Sequence, residues 1–317
     1  MNIPKPATEE IILEDIVFFE PEIKNLIWGD EYWTISAHDH GDVTVKEGRF
    51  KGLTLSQLWI KHPELFGAAA VGDRFPLLVK IIATREDLSI QVHPDDDYAA
   101  IHENGSLGKT ECWYILDCED ESRLVFGHNA KNRDELETLI ANNRYDELLC
   151  EIPIKNGDFI QMNPGTVHAI KGGIRLLEIQ QSSDITYRLY DYNRTTDGLP
   201  RPLHVRQALD VIKCPAPSAA DSVIPATSSE ENEVRELERC DYYVISTLDV
   251  KGTFSLTQDF PFLIICVIEG EGYIGEQSLR VDDHILLPNG YSTSGNGGEI
   301  RLSGEMRLIL ATVPSGV

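Results

Sequence analysis

The stretch "LSIQVHPDDD" at 88–97 sets an amide and an imidazole two positions apart, Gln91 and His93. If "LSIQVH" is a strand, its side chains alternate between two faces. Leu88, Ile90 and Val92 then turn into a core, and Ser89, Gln91 and His93 turn the other way. Further on, "GKTECWYIL" reads as another strand, with Lys109, Glu111 and Trp113 on one face and Thr110, Cys112 and Tyr114 opposite. In "NPGTVHAI", His168 enters a strand just after a turn. Gln91, His93, Glu111 and His168 thus make a set of two imidazoles, a carboxylate and an amide. Imidazole and carboxylate are ligands that a borderline divalent ion such as zinc prefers, and a neutral amide oxygen leaves the ion strongly Lewis acidic. Each histidine taken singly also has a plainer reading, as a hydrogen-bonded core or surface residue. Spacing alone does not bring four side chains together.

Other candidates are weaker. The acid run in "HPDDDYAAIHENG" is better read as a helix start, with Asp95 to Asp97 complementing the helix dipole. His102 and His128 have no partner pattern and read as structural. His38 and His40 in "SAHDHG" form a second H-x-H pair, but no carboxylate shares their predicted face, so a loop at the rim of the site is expected.

These side chains need a scaffold of strands. "FPLLVKIIA", "ECWYILD", "GDFIQM", "IRLLEIQ", "DITYRLYDY", "PFLIICVIEG", "GYIGEQSLRV" and "MRLILATV" are short, rich in β-branched and aromatic residues, and bounded by Gly, Asn and Asp. That spacing predicts antiparallel sandwiches or barrels rather than a parallel sheet. Helices are predicted over 54–67, with Thr54 as cap and a stop at glycine, over 132–149 as one or two helices, and over 202–213 after a proline. "PAPSAADSVIPATSSEENE", after Cys214, is poor in large apolar residues and predicts a linker over 214–235. It divides a first region, 1–213, from a β module at 236–317. The halves share a faint repeat: Asp158 to Pro164 and Asp282 to Pro288 run in register, which sets Ser292 opposite His168.

The 317-residue chain can bury a sizeable core, with 42% hydrophobic residues. Its net charge of −24 argues against nucleic-acid binding, since phosphates would be repelled over most of the surface. A few buried cations can still hold an anionic small ligand. The six cysteines contain no C-x-x-C pair and read as reduced thiols. The acidic N-terminus lacks a signal pattern, and no apolar run approaches the roughly 20 residues a membrane span needs. A cytoplasmic protein without membrane partners is expected.

In this order, "LSIQVHPDD", "GKTECWYIL", "NPGTVHAI" and "SSDITYRLYDYNR" closely resemble the type I mannose-6-phosphate isomerases, zinc enzymes of the cupin fold. The resemblance extends to "YWTISAH" and "FPLLVKIIA" and covers most of the chain. It implies a mainly β bicupin, two jelly-roll-like barrels with a few inserted helices. The first barrel would be catalytic. The residues themselves predict no metal site in the C-terminal one: Ser292 stands in the register of His168, Glu269 and Glu271 read as exposed in a Gly-rich turn, and His284 has no ligand at a neighbouring same-face position. The resemblance implies one zinc ion on Gln91, His93, Glu111 and His168, the set reached above from ligand chemistry. The family pattern makes Arg188 the arginine beside the transferred proton, with Asp184 orienting it, and Glu178 a further active-site position. Lys109, Ser89 and Arg194 are the expected phosphate donors. Lys109, Glu178 and a metal-bound water are all open as the base. The implied reaction interconverts mannose 6-phosphate and fructose 6-phosphate through an enediol or enediolate. A cupin oxygenase or a sugar-phosphate-binding regulator is the alternative; the amide ligand and the cations favour the isomerase.

Overall fold

The computed structural model describes residues 16–67, 72, 74–196, 198–227, 230–293 and 298–314. Most of the acidic N-terminal stretch and part of the linker therefore lie outside the described residues. Strand accounts for 45% and helix for 14%, so the fold is mainly β. All strand ladders are antiparallel.

The predicted closed barrels are instead open sheets packed in layers. A seven-stranded sheet runs Val223–Ile224, Phe159–Met162, Glu111–Asp117, Arg175–Gln181, Leu77–Thr84, Gly29–Ile35, Glu22–Leu26. A five-stranded sheet runs Leu149–Pro153, Arg123–His128, His168–Ala169, Ile90–Val92, Tyr187–Tyr190. The two meet through Trp113, Ile115, Ile160, Phe126 and Ile170. Behind the five-stranded sheet, Ile90, Val92 and Leu189 pack on the helices Arg133–Ala141, Tyr145–Leu148 and Val205–Val211. Behind the seven-stranded sheet, Leu77, Val79, Cys112 and Leu177 pack on Ile264 of a third, eight-stranded sheet and on Tyr243 and Phe262, each just before one of its strands.

That third sheet is not purely C-terminal. Val17 pairs with Leu286 and Phe18 with Ile285, and Thr44–Val45 pairs on the outer side of the same N-terminal strand. The linker is also applied to the fold: Ile224 pairs with Phe159, and Ala226 N–H donates to Asp158 Oδ1 at 2.7 Å.

Local signals account for several helix ends. Thr54 and Gln57 form a reciprocal capping box for Leu55–Lys61. That helix stops at His62, before the predicted Gly67, because Pro63 follows, and a 3₁₀ turn at Pro63–Leu65 replaces its last turn. Asp95 and Asn132 cap Asp96–His102 and Arg133–Ala141. The segment 132–149 holds two helices. The strand expected at 88–93 begins only at Ile90, so alternation does not reach Leu88. Leu88 packs between the sheets beside Trp113, while Ile90 and Val92 enter the helical core.

In place of the Gly-rich turn expected around Glu269 and Glu271, one strand, Leu263–Ile274, runs through with a bulge between Val267 and Glu269, and both acids are exposed as expected. Gly272 lies opposite Gly304, and a Cβ on Gly272 would come within 2.3 Å of Ser303 O. Glycine here permits two backbones to approach closely rather than to turn.

The internal repeat exists in three dimensions, one residue out of the counted register. Ile115 N–H donates to Asp158 O at 2.9 Å, and Gly157 N–H to Ile115 O at 2.8 Å. In the second copy Val267 N–H donates to Asp283 O and Asp282 N–H to Val267 O, both at 3.0 Å. Gly157 and Asp282 are both left-handed, at φ 88° and 72°. Asp158 therefore matches Asp283, and the residue opposite His168 is Thr293 rather than Ser292.

Candidate active site

Register brings the expected ligands together. His168 pairs with Gln91, and Gln91 pairs with Arg188 on its other side, so the three share one face of the five-stranded sheet. On the seven-stranded sheet, Glu111 pairs with Gln180, and Trp113, Glu178, Lys80 and Trp33 form the next row. His93 Nε2 lies 3.6 Å from Glu111 Oε2, and His168 Nε2 lies 3.4 Å from Glu111 Oε1. Ligand atoms bound tetrahedrally at about 2.1 Å would be about 3.4 Å apart, which these separations match.

Both imidazoles are oriented for coordination. His93 Nδ1 donates to Ile185 O at 2.8 Å and His168 Nδ1 to Thr166 O at 2.9 Å. Each neutral ring then carries its proton on Nδ1 and presents an Nε2 lone pair. Burial holds both rings' pKa values down, with His93 opposing His168, whose value falls to about 3; Lys109 lowers His93 further. Burial alone would raise the Glu111 carboxyl, yet Lys109 and the two imidazoles hold it well below the usual range. His93 Nε2 and Glu111 Oε1 are buried without a hydrogen-bond partner, and Glu111 Oε2 has only the Lys109 ammonium, at 2.8 Å. An orphaned lone pair and carboxylate facing one another are explained by a cation between them. Gln91 completes the set, its amide 3.4 Å from His168 Nε2; a rotation about its terminal bond presents the oxygen.

Around this set runs a buried chain of alternating charge. Lys109 Nζ is 2.8 Å from Glu111 Oε2 and 3.9 Å from Glu178 Oε1. Glu178 accepts from Lys80 Nζ at 3.0 Å and from Trp113 Nε1 at 2.9 Å, and Lys80 reaches Glu31 at 3.9 Å. Burial would lower the Lys80 pKa, but Glu178 and Glu31 more than reverse it, so Lys80 stays cationic. With every group ionised, three carboxylates and two ammoniums leave this chain at −1, and a divalent ion would bring it to +1, which suits an anionic ligand.

Lys80 was not among the candidates from sequence. Its signal was a lone lysine inside the apolar run "FPLLVKIIA". Arg188 is half-buried, its Nη1 donating to Pro202 O at 2.8 Å and its Nε buried without a partner. Burial, then Arg201, lowers its pKa. Asp184, expected beside Arg188, instead bonds His40 Nδ1 at 2.5 Å and lies 3.5 Å from His38 Nε2. The H-x-H pair does have a carboxylate, supplied from far along the chain. Ser89 is buried. Arg194 is engaged by Asp191 Oδ1 and Asp87 O, both at 2.5 Å, and stacks on Tyr192. A roomy open cleft of about 1020 Å³ lies elsewhere, by Phe18, Tyr273 and Arg280. Neither group of metal-ligating side chains lines it, so ligand chemistry rather than volume locates the site.

Residues 13–124 match the family model described as phosphomannose isomerase type I, catalytic domain, and residues 233–313 match that described as mannose-6-phosphate isomerase, cupin domain. The mannose-6-phosphate isomerase of Bacillus subtilis is 43% identical over 93% of this chain and 98% of its own length. The chain belongs to the type I phosphomannose isomerases. A second relative, the mannose-6-phosphate isomerase of Streptococcus mutans, is 43% identical over 82% of each chain. A crystal structure of mannose 6-phosphate isomerase from Bacillus subtilis superposes with TM-score 0.84 at 37% identity, covering 95% of this chain and all of that one. Structures of phosphomannose isomerase from Salmonella typhimurium share the fold at TM-score 0.74 and 15% identity. In this family member, His93, Glu111 and His168 form a buried triad able to hold a metal ion. No described helix is long and apolar enough to cross a membrane.

Proposed function

We propose that this chain interconverts mannose 6-phosphate and fructose 6-phosphate by proton transfer between C1 and C2, with zinc as the ion held by Gln91, His93, Glu111 and His168. The observation that carries this reading is the buried His93–Glu111–His168 triad, with His93 Nε2 and Glu111 Oε1 unpartnered and both imidazoles already fixed in the ligating tautomer. When bound, the ion supplies Lewis acidity to the sugar oxygens on the reacting carbons. The protein's own groups do the rest. We assign Glu178 as the carboxylate that takes the C2 proton and returns it to C1, because Lys80 and Trp113 fix its orientation. The proton on the C2 oxygen moves to the C1 oxygen as the carbonyl shifts. Arg188, with its unpartnered Nε, stabilises the negative charge that develops on those oxygens. Lys109, held by Glu111, adds positive charge on the same side.

The substrate phosphate anchors the sugar away from the reacting carbons. Ser89 remains its hydroxyl donor in this reading, and Lys109 faces the anion. Arg194, already committed to Asp191 and Asp87, contributes charge rather than a free bidentate fork. The six free thiols and the acidic surface support a cytoplasmic enzyme acting on a small molecule, without nucleic-acid or membrane partners. The test is a coupled assay for fructose 6-phosphate formed from mannose 6-phosphate. Turnover abolished by a chelator and restored by zinc is expected; turnover indifferent to metal removal would overturn the reading.

A further inference from the structure

The cluster of His38, His40 and Asp184 at the rim has the composition of a second metal site. Its hydrogen bonds say otherwise. His40 N–H donates to His38 Nδ1 at 3.1 Å, so in the neutral ring the proton sits on Nε2, the atom 3.5 Å from Asp184 Oδ1. Burial lowers the His38 pKa and favours that neutral ring. A metal on Nε2 would have to displace this proton and break the backbone bond. His40 Nδ1 meets the other oxygen, Asp184 Oδ2, at 2.5 Å, too close for an ion between them. The ring of His38 is braced edge-on by Trp33 at 5.9 Å, and Lys24 caps Trp33 at 3.5 Å while donating to His40 O.

Asp184 is followed by Ile185, whose carbonyl accepts from His93 Nδ1. That bond fixes the tautomer of a metal-ligand candidate. The H-x-H pair therefore grips the residue next to the carbonyl that orients His93.

We propose that His38 and His40 are positioning residues: by clamping Asp184 they hold the 184–185 backbone, and through Ile185 O they hold His93 in its ligating orientation. This rests on the metal-dependent isomerase reading above. The clamp comes from the loop carrying Ala37–His38 and Gly41–Asp42, and the residue it grips lies beyond the strand Arg175–Gln181. Loss of the clamp lets the ligand-bearing carbonyl drift without removing any ligand.

The test uses the purified zinc-loaded full chain. In His38→Phe the ring still packs on Trp33 but donates nothing, whereas His38→Gln restores an N–H to Asp184. In His38→Phe, zinc should pass to a competing chelator roughly tenfold more readily, and kcat should fall by a similar factor at nearly constant KM. His38→Gln should recover most of both, and His40→Phe should act in the same direction. Chelator resistance and kcat both unchanged in His38→Phe would overturn the proposal. So would losses that His38→Gln fails to rescue, because they would show packing rather than donation at work. A wild-type chain inactive on mannose 6-phosphate would fault the activity reading alone, since the chelator arm still reports on the clamp.

Discussion

Two strand-turn units of this protein have the same backbone and opposite chemistry. In the first, Phe159–Met162 lies beside Glu111–Asp117, and the turn after it delivers His168. In the second, His284–Leu287 lies beside Leu263–Ile274, and the turn after it delivers Thr293. With Ile115 matched to Val267 through their shared hydrogen bonds, Glu111 falls opposite Leu263. The carboxylate that anchors one unit is a buried leucine in the other. Leu263 packs with Ile285, Leu287 and Leu310 in a wholly apolar cluster. Among the described residues, no group of three metal-ligating side chains lies in the second unit. The architecture tolerates either filling, so whether a unit can hold an ion depends on a few side chains rather than on its backbone.

Exchanging the two fillings tests this most directly. Glu111→Leu should convert the first unit to the second's character. Activity should fall by at least about 10³-fold, with zinc absent on metal analysis and the fold intact by circular dichroism. Full zinc occupancy in this variant, or in His168→Ala, would break the assigned ligand set. Arg188→Ala removes charge stabilisation but no ligand, so kcat should drop by roughly 10²-fold while KM and zinc content hold. A change in KM alone would reassign Arg188 to substrate binding.

The reverse exchange, Leu263→Glu, buries a carboxylate with no partner. It should destabilise the protein by roughly 3–5 kcal/mol in denaturant unfolding and recruit no metal. Stoichiometric zinc there would show that the second unit can become a site.

The smallest effect concerns pH. Burial lowers the His284 pKa to about 4, its Nδ1 bonded to Thr34 Oγ1 at 2.6 Å. The unfolded chain protonates this residue near pH 6.5 and the fold does not, so stability should fall as pH drops from about 6.5 towards 4. His284→Leu should flatten that slope by up to roughly 3 kcal/mol, as read from urea midpoints, with kcat unchanged. An unaltered slope would mean that His284 is not held neutral by the fold.

Much of the site was legible because a strand enforces a period of two. Lys109, Glu111 and Trp113 do share a face, and the Lys109–Glu111 contact follows from it. What alternation cannot supply is which strands become neighbours. Lys80 meets Glu178 across a ladder between segments 98 residues apart, and His40 meets Asp184 across 144. The repeat was visible, but its register was counted from aspartate to proline, whereas the backbone turns on Gly157 and Asp282. The glycines near Glu271 read as a turn because a bulged strand with closely approaching backbones demands the same residue as a turn. The open sheets were also illegible, since strand spacing is the same in a closed barrel.

The pairing of Val17 with Leu286 gives the chain a timetable. During synthesis the N-terminal strand emerges first, and its partner emerges about 270 residues later. At about 5–20 residues per second that is a wait of roughly 15–50 s. Through that interval Val17 lacks its strand partner and Phe19 has only Val45 beside it, and the apolar back of the seven-stranded sheet, with Leu77, Val79 and Leu177, is uncovered. The C-terminal strands of the eight-stranded sheet therefore close both surfaces at once. A nascent chain stalled before residue 284 would present them to any chaperone within reach.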